Sequence, residues 1–185
     1  MRVCWIVSEE FASTHILPEQ LKDIAPSWGS WRTWRAWNTD NVLCHDATKA
    51  QELIQRAFHS VCNFYTANKN YAQLGRPARV NLYEGDFPGA LDRPEEIIAM
   101  HLVAEQNDLV LLLGFDLSEK TFDDKYENHK RTNYINAFRA TLNTYPETQW
   151  VLIDHPDPVT KKITLSNLTK DDFNSVVLLL SELNR

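Results

Sequence analysis

Only five of the 185 residues are glycine. That scarcity works against the glycine-rich turns that let a backbone approach a pyrophosphate. No Gly-x-Gly-x-x-Gly follows the first apolar run, where the chain reads Ser8-Glu9-Glu10-Phe11, and no P-loop occurs. Dinucleotide binding of the usual kind is therefore not expected. His-Glu-x-x-His and Gly-x-Ser-x-Gly are missing as well. The six histidines stand apart at 15, 45, 59, 101, 129 and 155, so no metal site is expected from them.

Cysteine is also sparse. Cys4, Cys44 and Cys62 are odd in number and match no zinc or redox spacing. Cys4 and Cys62 sit in apolar runs, which reads as reduced thiols packed like small hydrophobes and points to the cytoplasm. No window approaches the roughly 18 apolar residues of a membrane span. The first ten residues carry too short an apolar run for a signal peptide. An excess of positive charge is lacking: 19 basic residues face 25 acidic ones, for a net charge of −6. Extended nucleic-acid binding, which needs a basic face, is not expected, nor is a membrane partner.

What is present is core material. A hydrophobic content of 43% with 24% charged residues fits one globular domain over 1–185. Five short apolar runs predict strands: Val3–Val7, Asn41–Cys44, Arg79–Tyr83, Leu109–Leu113 and Trp150–Ile153. Helical spacing predicts a long helix over Ala47–Ala67, another opening at Asp92-Arg-Pro-Glu95, a third over Tyr134–Asn143, and a last one from Thr169. A weaker helix is read at Pro18–Ile24 and an extra edge strand at Lys162–Leu165. Alternating strands and helices predict a three-layer, doubly wound α/β fold. The sheet is expected to be mainly parallel, five-stranded and flavodoxin-like or Rossmann-like, with 2-1-3-4-5 as the first choice of strand order.

Open parallel sheets bind ligands beyond the carboxyl ends of their strands, where the order reverses. The residues following the strands are Ser8, Glu9 and Glu10; His45 and Asp46; Glu84, Gly85 and Asp86; Gly114 and Asp116; Asp154 and His155. Taken singly, each acid is explained by a cap or a turn. Together they predict an acidic hollow, in which the order 2-1-3-4-5 makes Glu9, Glu10, Glu84 and Asp86 neighbours.

The segment Trp28-Gly-Ser-Trp31-Arg-Thr-Trp34-Arg-Ala-Trp37 holds four of the six tryptophans. At three-residue spacing the rings drift by about 60° per step around an α-helix and share no face. Trp31 and Trp34 beside Arg32 and Arg35 suit base stacking and phosphate pairing. The same residues suit a hydrophobic cover or a protein-docking surface. The loop Asp116–Arg131 reads as a lid or as a solvated connection.

Leu82-Tyr83-Glu84-Gly85 followed by Leu113-Gly114-Phe115-Asp116 resembles the Toprim layout, in which a strand-end glutamate and a later Asp-x-Asp hold magnesium. Ser118 stands where the second aspartate belongs. The layout is also similar to that of nucleoside deoxyribosyltransferases, which set a carboxylate beside a ribose. The likeness carries no motif, and no family is identified from it.

The leading expectation is a protein that binds a nucleotide or nucleoside and cleaves or transfers an N-glycosidic bond. Glu84 or Asp86 would be the catalytic carboxylate, and Asp116 would hold the ribose hydroxyls. Glu9, Glu10, Trp31, Arg32, Trp34 and Arg35 would complete the ligand site. The alternatives are a non-catalytic interaction or inhibitor protein docking through the Trp/Arg segment, and a magnesium-dependent phosphotransfer enzyme. The sequence names no particular cofactor.

Overall fold

The computed structural model describes residues 1–9, 24–85, 87, 92–118, 121–153, 166–168 and 175. Two apolar pentapeptides set its centre. β1 (Val3–Val7) and β6 (Leu109–Leu113) pair in parallel over all five residues, from Val3 opposite Leu109 to Val7 opposite Leu113. Both are almost wholly buried, which is why neither alternates with polar residues.

Successive positions nevertheless enter different cores. Cys4, Ile6, Val110, Leu112, Trp150 and Leu152 face one side of the sheet. Trp5, Val7, Leu111, Leu113, Val151 and Ile153 face the other. The period of two along each strand produces this division.

To one side of β1 lie β2 (Ser27–Ser30), β3 (Asn41–Leu43), β4 (Asn63–Ala67) and β5 (Val80–Tyr83). To the other side, β6 is followed by β7 (Gln149–Ile153) and by a short edge strand, β8 (Ser166–Leu168). Every pairing is parallel. The open sheet therefore has seven strands up to Ile153 and β8 beyond them, rather than five. The order is β5-β4-β3-β2-β1-β6-β7-β8 rather than 2-1-3-4-5.

Helices flank the sheet. α4 (Pro94–Ala104) and α5 (Lys125–Thr144) cover the first core through Ile97, Met100, Tyr134 and Phe138. α1 (Trp31–Trp37) and α2 (Ala47–Gln55) lie over the other face, where Ala50 and Leu53 of α2 pack on Val42, Cys44 and Phe64. α3 (Asn68–Tyr71) is a single turn between β4 and β5.

Several expectations are corrected. The helix read over Ala47–Ala67 stops at Gln55. Ala57 then takes a left-handed conformation (φ 57°), Phe58–Ser60 makes a 3₁₀ turn, and β4 follows. α5 begins nine residues before Tyr134, because the Asp124 carboxylate caps the amides of Tyr126 and Glu127. The second half of the expected lid is therefore helix. Arg93, not Asp92, occupies the cap position of α4, and no side chain caps it. The readings at Pro18–Ile24, at Lys162–Leu165 and from Thr169 fall outside the described residues, apart from Ile24 and Ser175.

Candidate functional site

The chain leaves β1 for β2 on one side and enters β6 on the other, so the order reverses between β1 and β6. A helix N-terminus near such a point is a ready anion site. Here α4 places a buried carboxyl of its own at that point. The Glu96 carboxylate, 3% exposed, accepts from Ser8 Oγ at 2.5 Å, the Glu9 amide at 3.3 Å and Tyr134 Oη at 2.5 Å. Burial raises the pKa of Glu96 and pushes that of Tyr134 upward as well. This carboxyl group joins β1, α4 and α5.

The cleft opens next to this seal, over the exits of β1, β2 and β3. It encloses about 600 Å³. Glu9 enters from β1, Trp31 and Arg32 from the start of α1, and His45 and Asp46 from the end of β3. Lys49 of α2 and Arg93 and Glu95 at the head of α4 complete the wall. Ser30 fixes the direction of α1 by accepting from the amides of Arg32 and Thr33. Asp46 does the same for α2 through the Lys49 amide at 2.6 Å.

Charges of both signs meet in this cleft. Arg32 Nη1 sits 3.0 and 3.2 Å from the two carboxylate oxygens of Glu9. Three cations surround the Trp31 indole, with Lys49 Nζ at 4.5 Å, Arg32 Cζ at 4.9 Å and Arg35 Cζ at 5.1 Å from the ring centroid. Glu95 is 5% exposed and accepts the His45 amide at 3.1 Å. Burial raises its pKa against that hydrogen bond, and the nearby Glu9 adds to the rise. Burial lowers the pKa of His45, with Lys69 acting in the same direction. The cleft therefore joins a carboxyl inclined to hold a proton with an imidazole inclined to stay neutral.

A larger cleft of about 940 Å³ lies at the amino ends of β3 to β5, lined by Trp34, Asn38, His59, Asn63, Arg79 and Asn81. It gathers fewer perturbed groups. The carboxyl-end cleft is the better candidate because it holds the buried acid, the neutral imidazole and the cations together.

Of the residues expected at the site, Glu9, Trp31 and Arg32 meet in the carboxyl-end cleft. Arg35 flanks Trp31, while Trp34 lines the opposite cleft and packs edge-on against Phe58. Glu84 follows β5 at the sheet edge, where Asn68 donates to its carboxylate. Four strand steps separate β5 from β1, about 19 Å at ordinary strand spacing. Glu84 and Glu9 are therefore not neighbours, and Glu84 and Asp116, the Toprim-like pair, are separated by one strand more. Asp116 pairs with Arg131 at 3.2 Å and accepts from Ser118. Glu10, Asp86, Asp154 and His155 lie outside the described residues.

The tryptophan segment divides among three cores. Trp28 joins the core under α4, Trp37 the core on the opposite face of β1 and β6, and Trp31 and Trp34 the α2 side. Its threefold spacing thus spans a strand and a helix and makes no common surface.

Sequence reasoning did not assign His45, Asp46, Lys49, Arg93 or Glu95 to the site. His45 and Asp46 were visible as a strand exit. Arg93 and Glu95 were visible only as a helix start. Among the described residues, no group of three or more His, Cys, Asp or Glu could hold a metal ion. No helix among them is long and apolar enough to cross a membrane. No protein-family model, curated protein or solved structure matches the chain.

Proposed function

We propose that the carboxyl-end cleft binds a nucleotide or nucleoside and supports cleavage or transfer of its N-glycosidic bond. One observation carries this reading: the buried Glu95 carboxyl shares the cleft with the Trp31 indole, Arg32 and Lys49. An indole offers a stacking face for a base, and guanidinium and ammonium groups pair with phosphate. The Glu9 carboxylate oxygens offer acceptors for ribose hydroxyls. Burial raises the pKa of the Glu95 carboxyl, the direction a general acid needs.

In the reaction, the bond between the anomeric carbon and the base nitrogen breaks as Glu95 gives its proton to that nitrogen. The hydroxyl of water or of an acceptor adds to the anomeric carbon and returns a proton to Glu95. In this reading Glu95 takes the catalytic part first assigned to Glu84 or Asp86, and Glu9 the ribose contacts first assigned to Asp116.

Calorimetry with nucleoside monophosphates and free nucleosides tests binding, and chromatography of released base tests turnover. Arg32→Ala should weaken phosphate-bearing ligands more than nucleosides. Glu95→Gln should bind but release no base. Absence of heat with every ligand at millimolar concentration refutes the reading. In that event the docking alternative gains weight, because the exposed Arg35 also flanks Trp31 and an acidic partner surface would suit the cation cluster.

A further inference from the structure

His45 is the first residue beyond Cys44 at the end of β3, and three distant groups hold it. Its amide donates to Glu95 Oε1 at 3.1 Å, its carbonyl accepts from Asn70 Nδ2 at 3.1 Å, and its ring Nδ1 lies 2.8 Å from Tyr83 Oη. These partners come from α4, α3 and β5, so both backbone and ring are fixed.

The direction of the ring hydrogen bond follows from counting protons. Tyr83 is 3% exposed, and among the described residues Nδ1 is the only hydrogen-bond partner of its hydroxyl. A buried phenolic hydrogen without an acceptor is costly. If Nδ1 carried a hydrogen it would donate to Oη and leave the phenolic hydrogen unpaired. The phenol must therefore donate and Nδ1 must accept. A neutral imidazole then keeps its one hydrogen on Nε2. Nε2 has no hydrogen-bond partner among the described residues, and His45 lines the cleft.

We propose that Tyr83 locks His45 as the Nε2–H tautomer and that His45 donates a hydrogen bond to a phosphoryl or carbonyl oxygen of the ligand. The ligand part rests on the reading that a small molecule occupies this cleft, while the tautomer stands independently. An Nε2–H cannot take a proton from substrate, so His45 stabilises charge on an oxygen and leaves proton transfer to Glu95. Tyr83 is then a positioning residue. Lys49, Arg32 and Arg93 line the same cleft beside Glu9, Asp46, Asp92 and Glu95, and these cations can pair with an oxygen that bears negative charge.

Long-range proton–nitrogen NMR correlation on histidine-labelled protein reads the tautomer without any ligand, and His45→Gln assigns the signal. The expected result is an unprotonated Nδ1 and a protonated Nε2 in the wild type, with the two nitrogen shifts moving toward each other in Tyr83→Phe. A wild-type ring protonated on Nδ1, or averaged shifts, overturns the tautomer. So does a Tyr83→Phe spectrum identical to the wild type. If Tyr83→Phe does not fold, the wild-type spectrum decides.

Calorimetry with adenosine monophosphate tests the donor role. His45→Gln, which places an amide N–H near Nε2, should keep affinity within about threefold, and His45→Ala should lose about tenfold. Equal loss in both overturns the donor role while leaving binding intact. No binding by the wild type overturns the occupant and leaves the tautomer standing on its spectrum.

Discussion

Replacing Arg131 by methionine removes a clamp and keeps most of its volume. The side chain is 7% exposed, and its Nη2 donates to the carbonyls of Asp116 at 2.6 Å and Ser118 at 2.8 Å. The same nitrogen lies 3.2 Å from Asp116 Oδ1. α5 thereby holds the loop that leaves β6 at the order reversal. Hydrogen bonds to a charged group contribute about 1.5–3 kcal/mol each, and breaking a buried pair from one side costs about 3–5 kcal/mol. Nε of this guanidinium has no partner among the described residues, so the lower part of that range applies. A loss of about 3 kcal/mol is expected, a large share of the roughly 5–15 kcal/mol available to a folded domain. Urea unfolding measures it, with a midpoint shift of about 1–2 M. Arg131→Lys, whose ammonium stops about one bond short of the Nη2 position that serves all three acceptors, should recover less than half of the loss. In the Asp116→Asn background the cost of Arg131→Met should fall, because no carboxylate is then left unpaired. A loss below about 1 kcal/mol for Arg131→Met, or full recovery by lysine, would refute the reasoning, since each bond alone is worth that much.

Three further outcomes follow from the same structure. Glu95 and Glu96 bind their protons more tightly folded than unfolded, so their contribution is complete below about 4.5 and is lost as pH rises through the higher folded values. Glu95→Gln should therefore gain thermal stability relative to the wild type as pH rises from 4.5 toward neutrality, and a pH-independent difference between the two melting curves would contradict the raised pKa. At Gly29 a Cβ would meet Thr39 Cγ2 at 3.1 Å and Thr33 at 3.2 Å. Gly29→Ala should cost about 1–3 kcal/mol by chemical denaturation, with partial recovery on adding Thr39→Ser, and no cost would mean that these contacts yield freely. Burial pushes the Cys4 thiol up to about 12 and Cys62 to about 11, and Cys44 is raised as well. A disulfide reagent at pH 8 should label the half-buried Cys62 slowly and the other two only in denaturant, whereas prompt labelling of two thiols would show that the cores open.

The strands that could be read from sequence are those buried on both faces. Val3–Val7 and Leu109–Leu113 are continuous apolar runs, and their limits match the structure residue for residue. β2 is Ser-Trp-Gly-Ser, with one large side chain. Its serines serve as partners to Asp40 and as the cap of α1, and its glycine admits two threonines, so no apolar pattern marks it. β4 was hidden because Val61, Cys62 and Tyr65 continue the spacing of α2. The helix ends through a left-handed alanine that carries no glycine signal. Missing these two strands moved β5 from the edge to the centre on paper, and Glu84 moved with it. Glu9 was legible because it stands just beyond β1, and Trp31 and Arg32 because of the Trp/Arg spacing. Glu95 was not, since in sequence it reads as an ordinary first-turn glutamate and only the crossover from β5 to β6, which packs α4 against β1 and β2, brings it over the cleft.

β1 is the first strand in the chain, yet one of its two neighbours is β6, more than one hundred residues later. A ribosome making this protein exposes that flank of Val3–Val7 throughout synthesis of the next four strands. Until Leu109–Leu113 emerges, the nascent sheet carries a bare apolar border able to pair with another chain. Fragments ending before β6 should therefore bind chaperones or precipitate, and the slow step of refolding should be the zippering of β6 onto β1.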